Sequence, residues 1–413
     1  MLDIQFIRDN ADAVKKNAND RGMDVDIDLL LELDSQLRNH TKIVDDKRAE
    51  RNENGDKLKS VEDKKSDEAK KVIAEGKSLK VEIADLEVEV EKVREEYNAL
   101  MMDVPNMSHP EAPLGKTDED NKELSTWGDI PKIDNPLDHV ELGKKNDLID
   151  FERGAEVAGS GFYYLKNDAA MFELDMVNFG MKFCVENGFT PMLTPDMARK
   201  EIIVGAGFNP RSDEEKQIYD IEGEDLSLIG TSEITVGGYF AGHVFKKGEL
   251  DEPKKIVALS HCFRTEAGAY GRTSKGLYRV HQFTKVEMFI LSKPEHSDEM
   301  HDHLLDMEEK IIQHIGLPYR VVDVCTGDMG APAYRKYDIE AWMPFKNGYG
   351  EITSASNCTD FQARRLNIKY VTEDGKKEYI HTLNGTAVVG SRMPLAVMEN
   401  NQQPNGTVQY PIL

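Results

Sequence analysis

From Leu79 onward the apolar residues fall at Leu79, Ile83, Leu86, Val90, Val93, Tyr97 and Leu100, in steps of four and three with Glu, Lys and Arg between them. A helix with a narrow apolar seam satisfies that spacing, and such a seam requires a partner helix. A similar seam starts upstream at Leu30, Leu33, Leu37, Thr41 and Val44, then turns polar at Arg48 and Arg51. The stretch RNENGDKLKSVEDKKSDEAKK, with Gly55 inside it, separates the two. The spacing predicts two antiparallel helices joined near residues 60–70. Because the seam fades toward that turn, an arm projecting into solvent is expected rather than a self-contained bundle. Residues 41–80 hold 12 Lys/Arg against 10 Asp/Glu, while the whole chain carries a formal charge of −24. The net charge argues against nonspecific nucleic-acid binding over the whole surface, and residues 41–80 are a place where an anionic macromolecule could dock. From charge alone, the favoured reading of that segment is a mixed-charge solvated helix face.

The segment MDVPNMSHPEAPLGKTDEDN (102–121) has no periodicity and reads as a connection. The expected division is an arm at 1–104, a linker at 105–125 and a second domain at 126–413. That domain mixes helical and strand-like segments. MFELDMVNFGMKFCVENG (171–188) has a helical period ending at Gly188, and HSDEMHDHLLDMEEKIIQHIG is a second helix. YRVVDVC, YDIEAWMP and YGEITSASNC read as strands, and a last helix starts near Ser391. With no βαβ alternation, Walker A or GxGxxG, the fold class is α+β, a mainly antiparallel sheet backed by helices. Cys184, Cys262, Cys325 and Cys358 have neither zinc-site nor disulfide spacing and are expected as buried free thiols. No apolar run is long enough for a membrane span, and MLDIQFIRDN is not a secretory leader, so a cytoplasmic location is expected.

FRTEAGAYGR (263–272) sets Arg264, Glu266 and Arg272 around a turn between apolar IVAL and the alternating run YRVHQFTKVEMFIL (278–291). From composition alone it is either a solvated hairpin or a fork for a polyanion. In an extended run, Arg279, His281, Phe283, Lys285, Glu287 and Phe289 share one face, and Phe283 and Glu287 stand about 13 Å apart. An aromatic ring and a carboxylate at that separation can address the two ends of one extended ligand. A guanidinium at Arg264 suits bidentate phosphate contact. Thr231-Ser232-Glu233 reads on its own as a helix N-cap with a first-turn acid. His261 and His281 read as packed or hydrogen-bonded residues.

FRTEAGAYGRTSKGLYRVHQFTKVE (263–287) resembles motif 2 of the class II aminoacyl-tRNA synthetases, in the form found in the seryl-tRNA synthetase family. GTSEIT (230–235) resembles that family's serine-binding loop, and LNGTAVVGSRMPLAVMENNQ (383–402) its motif 3. GDMGAPAYRKYDIEAWMP and GEITSASNCTDFQARR resemble its late core segments, and TPMLTPDM its motif 1, with Pro195 at a dimer interface. The N-terminal seams resemble its tRNA-binding arm. The resemblance implies a class II catalytic domain, a homodimer, and a ligase that joins serine to tRNA(Ser), and to tRNA(Sec) where a host has one. ATP is the implied cosubstrate, with Mg²⁺ and without zinc.

Residue roles follow from the same resemblance. Arg264 would hold the α-phosphate of ATP and also reach serine, and Arg392 would hold the γ-phosphate. Thr265, Glu266, Val280 and Phe283 would line adenine, with Glu266 on its amino group and Phe283 stacked on the ring. Glu351, Ile352, Thr353 and Ser354 would follow ATP, with Glu351 and Ser354 as magnesium ligands. Thr231, Glu233, Glu287, Asn384 and Thr386 would hold serine. Without ligand, Arg264 and Arg392 are expected to pair with carboxylates. Arg272 has no assigned anion.

Four stretches depart from the family pattern: GSGF (159–162), GAGFNP (205–210), Thr386 in place of serine, and Pro394 soon after Arg392. A class II enzyme for another small amino acid is disfavoured by motif 2, the TSE loop and the arm. A paralogue that loads a carrier protein would lack the arm. A non-catalytic relic would not be expected to keep Arg264, Glu266, Glu287, Glu351 and Arg392 together.

Overall fold

The computed structural model describes residues 1–208, 217–267 and 276–413. The chain forms two compact units: Asp3–Asn19 with Met23–Val104, and Met1–Leu2, Asp20–Gly22 and Pro105–Leu413.

In the smaller unit, helices Ile27–Ser60 and Asp67–Asp103 pack along their lengths. Asp26 caps the first at the Leu29 amide and Ser66 the second at the Ala69 amide, each satisfying an orphan N–H. All seven seam residues from Leu79 to Leu100 are at least half-buried, and every residue between them from Val81 onward is exposed. Upstream, Leu30, Leu33 and Val44 are buried while Thr41 is exposed. The seam does not end where the apolar pattern fades. Asn54, Ala69 and Val72 are buried near the turn, and a side chain on Gly76 would meet Asn54 Oδ1 at 2.8 Å. Small residues let the helices keep contact where large apolar ones are missing.

The larger unit is built on one eight-stranded sheet. Its strands in chain order are β1 (Lys122–Trp127), β2 (Thr190–Leu193), β3 (Lys254–Phe263), β4 (Gln282–Ser292), β5 (Tyr319–Asp323), β6 (Arg335–Met343), β7 (Gly348–Asn357) and β8 (His381–Val389). They lie in the order β1-β5-β6-β7-β8-β4-β3-β2, and every pairing is antiparallel except β2 with β3. Helices Asn167–Glu186 and Ser297–Ile315 pack on this sheet, burying Phe172, Met176, Leu304, Met307 and Ile311 against Val286, Ile339, Leu383 and Val388. Gly188 (φ 86°) and Gly316 (φ 81°) follow their ends in the left-handed region that glycine tolerates. The stretch expected as a linker is anchored to this unit. Asn106 is buried and donates from Nδ2 to the carbonyls of Pro332 and Cys358, both at 2.9 Å, and β1 pairs with β5. The four cysteines are free and buried.

Candidate active site

Strands β4, β6, β7 and β8 carry side chains into one cavity of about 390 Å³, joined by residues beyond the end of β3 and at the start of helix Ser232–Tyr239. Two irregularities in the sheet decide which side chains enter it. In β7, Glu351 pairs with Glu340 and Thr353 with Ile339, so Ile352 is an extra residue. Strict alternation would send Glu351 and Ser354 to opposite faces; the bulge turns both toward the cavity. In β8, Thr386 pairs with Glu287 and Val388 with Val286, leaving Ala387 extra, and Thr386 and Val389 both line the cavity.

One end of the cavity is a set of buried carboxylates held by donors. Thr231 is the helix N-cap expected from its tripeptide, accepting from the Glu233 amide, and it also lines the cavity. Glu233 Oε1 accepts from Gln362 Nε2 at 2.5 Å and from Asn384 Nδ2 at 3.1 Å. Burial, reinforced by the nearby charge of Glu287, pushes the Glu233 carboxyl up to about 7. Glu287, 1% exposed, forms an ion pair with Lys285 at 2.6 Å and accepts from Thr386 Oγ1 at 3.3 Å. Lys285 Nζ also donates to Thr231 Oγ1 at 3.3 Å.

The other end carries the guanidiniums. Arg392, at the start of the last helix, pairs with Glu351 at 3.1 Å, donates to the Tyr278 carbonyl at 3.1 Å and lies 4.8 Å from the centre of the Tyr278 ring. Desolvation inside the fold opposes the charge of Glu351, whose side chain is 39% exposed, yet Arg392 and Lys336 overcome it and hold its carboxyl down at about 2. Arg264 does not follow the expected pairing with a carboxylate among the described residues. It sits 5.3 Å over the Phe283 ring and makes two long hydrogen bonds, both 3.4 Å, to the Gly230 carbonyl. Glu266 has a left-handed backbone (φ 53°) and pairs with Arg279 at 3.2 Å.

The cavity therefore gathers Thr231, Glu233, Arg264, Glu266, Val280, Phe283, Glu351, Ile352, Thr353, Ser354, Asn384, Thr386 and Arg392. Glu287 stands directly behind this lining, and Thr265 is not part of it, its amide bonded to the Gln217 carbonyl. The strand expected from Tyr278 begins at Gln282, with a 3₁₀ turn at Gly276–Tyr278 ahead of it. His261 bonds Asp196, and His281 meets Tyr219 Oη and the Arg264 carbonyl. Arg272 lies outside the described residues, as do Asn209 and Pro210 of GAGFNP.

Lys285, Lys336 and Gln362 were not assigned roles from sequence. The alternation of β4 already set Lys285 between Phe283 and Glu287. Lys336 lines the cavity and pairs with Asp338 at 2.9 Å. Gln362, in helix Phe361–Leu366, reaches Glu233 across 129 residues of sequence, a contact with no local signature. Among the described residues, no group of three or more His, Cys, Asp or Glu is placed to hold a metal ion. The hard oxygens of ionised Glu351 and of Ser354, turned to one face by the bulge, suit a phosphate-bound divalent cation. Chemically, one end fits a small hydroxyl-bearing ammonium, and the other fits a polyanion joined to a flat ring.

The profile of the tRNA synthetase class II core domain (G, H, P, S and T) matches residues 216–401, and that of the seryl-tRNA synthetase N-terminal domain matches residues 1–108. A serine–tRNA ligase of Treponema denticola is 48% identical, with 100% of this chain and 97% of the relative covered. Among solved structures, the seryl-tRNA synthetase of Pyrococcus horikoshii complexed with ATP superposes with a TM-score of 0.87 at 37% identity, covering 100% of this chain and 96% of that one. The cytoplasmic serine–tRNA ligase of Naegleria fowleri in complex with AMP gives 0.82 at 30% identity, covering 100% and 95%.

Proposed function

This chain belongs to the seryl-tRNA synthetase family, and on that premise we propose that it activates L-serine with ATP and passes the seryl group to the 3′ end of tRNA(Ser). The observation that carries this reading is the cavity's division into a carboxylate end and a guanidinium end, with Arg264 over the Phe283 ring at the second. Serine's carboxylate is already ionised near neutral pH, so the first step needs placement and charge compensation rather than a general base. A carboxylate oxygen attacks the α-phosphorus, the bond to the bridging oxygen breaks, and pyrophosphate leaves with that electron pair.

Arg264 is the residue suited to hold the α-phosphate. Adenine stacking on Phe283 would displace its guanidinium from the ring and turn it toward phosphate. Glu266 and the Val280 backbone would border the base. Glu351 and Ser354 would hold a magnesium ion arriving with ATP, which supplies neutralisation of phosphate charge. Release of Glu351 from Arg392 would leave that guanidinium for the γ-phosphate. Glu233 would take serine's ammonium, with Thr231 and Asn384 beside it, and Glu287 with Thr386 would receive the hydroxyl. A buried acceptor left unpaired by alanine supports discrimination of about 10⁴-fold or more.

The helical unit is proposed as the tRNA contact. A homodimer is supported by apolar side chains left open: Leu193 of the edge strand β2 is 77% exposed, and Met171, Leu174 and Tyr239 are also exposed. No helix among the described residues is long and apolar enough to cross a membrane.

The test uses two proteins, the full chain and one with residues 49–86 replaced by a short glycine turn just beyond the Arg48–Glu87 pair. Serine-dependent ATP–pyrophosphate exchange is expected in both, and charging of tRNA(Ser) only in the full chain. Absent exchange with serine, or equal exchange with alanine, would sink the serine assignment. Charging by the shortened protein would remove the arm from the tRNA contact.

A further inference from the structure

Helix Ser297–Ile315 packs on β7 and β8 without lining the cavity, and its buried positions Leu304, Met307, Ile311 and Ile312 are apolar. Glu308 stands among them, 0% exposed. A carboxyl in such surroundings is costly unless it is bonded, and a leucine would serve packing as well. Burial holds this group in its acid form well above the usual carboxylate range.

Its contacts converge on the two bulges. Thr353, the residue after the extra Ile352 of β7, donates from Oγ1 to Glu308 Oε2 at 2.7 Å. Oε1 has no hydrogen-bond partner and lies against Gly385, the residue before Thr386. Thr386 lies just before the extra Ala387 of β8. Gly385 makes room for the carboxyl: a Cβ there would meet Oε1 at 2.9 Å and Leu304 at 3.3 Å. A bulge leaves part of the ladder unpaired, so its position along the strand needs another restraint.

We infer that Glu308 is a positioning residue. From behind the sheet it ties the bulge of β7 to the bulge of β8, and so fixes the spacing between the Glu351–Ser354 wall and the Asn384–Thr386 wall of the cavity. It touches no substrate. The inference rests on the proposed reading, in which the first wall faces ATP and the second faces serine.

The experiment compares the full-length parent with Glu308→Leu, Glu308→Gln and Gly385→Ala, with rates normalised to titrated active sites. Melting temperature, KM and kcat for serine and ATP in exchange, and ATP affinity by calorimetry are measured for each. Glu308→Leu is expected to fold and to raise the KM of both substrates by about 10- to 100-fold, the scale on which loss of an outer-shell partner weakens a metal site. Glu308→Gln, which still accepts from Thr353, is expected to stay close to the parent. Gly385→Ala is expected to reproduce the leucine variant by pushing the carboxyl away, and it carries the test if Glu308→Leu does not fold. Parental KM values and ATP affinity in the leucine and alanine variants overturn the inference, even if melting temperature and active fraction fall. Calorimetry reads the ATP wall without any reaction. Loss of serine exchange in the parent would thus count against the serine reading, whereas unchanged ATP affinity in the variants counts against Glu308.

Discussion

Arg48 and Glu87 meet at 2.8 Å in the helical unit, Lys285 and Glu287 at 2.6 Å in the sheet unit, and the two pairs share little beyond that distance. The first pair is about half exposed on both sides, 48% and 47%; the second is 10% and 1% exposed. In water a pair is screened and its members are nearly independent of each other. Inside the sheet unit each charge depends on its partner, because neither has water to fall back on. The first pair keeps a helix surface solvated, and the second confines charge to bind something charged.

Removing one member of each pair should separate these regimes most clearly. Lys285→Met strands Glu287 in a dry site and is expected to cost about 3–5 kcal/mol in urea-unfolding stability, with serine binding lost as well. A loss below about 1 kcal/mol would show that the cavity pair behaves like a surface pair.

A smaller effect concerns Glu233. With its carboxyl at about 7, the free cavity holds mostly the acid at pH 6, and the ammonium of serine requires the carboxylate. Serine affinity should therefore strengthen as pH rises from 6 to 7 and level off above, by up to about tenfold per unit. Stability runs the other way. The folded value lies above the unfolded one, near 4.5, so this group's contribution is full below 4.5 and is lost as pH rises through about 7. Glu233→Gln should flatten both profiles, and a pH-independent serine affinity in the parent would refute the assignment. At the bottom of the scale, Arg48→Ala should change stability by about 0–1 kcal/mol, less still at high salt. A larger change would mean that this exposed pair is not screened as a surface pair should be.

The same contrast explains what could be read from sequence. The seam from Leu79 to Leu100 was legible because a helix position is decided by neighbours three and four residues away. Strands β3 to β7 were legible for a similar reason, as were the terminating glycines, whereas β1, β2 and β8 were not read as strands. The cavity was only partly so. Family motifs supplied Arg264, Glu233 and Arg392, but the bulges at Ile352 and Ala387 invert the inside–outside alternation after one residue, and alternation cannot announce its own interruption. Nor does sequence show that Arg264 rests on Phe283, that Gln362 holds Glu233, or that Asn54 and Gly76 continue a seam whose apolar residues have run out.

Arg21, with Asp20 and Gly22, belongs to the sheet unit although Asn19 before them and Met23 after them belong to the other. It is buried and donates to the carbonyls of Asn106 and Ala333 at 3.0 and 2.8 Å, and to that of Gly330 at 2.5 Å. The strand-linking segment it grips is made some 309 residues later. At about 5–20 residues per second, a ribosome takes roughly 15–60 s to supply those acceptors. The helical unit, complete by Val104, can form during that interval. The sheet unit cannot seat this guanidinium until its last quarter is being synthesised.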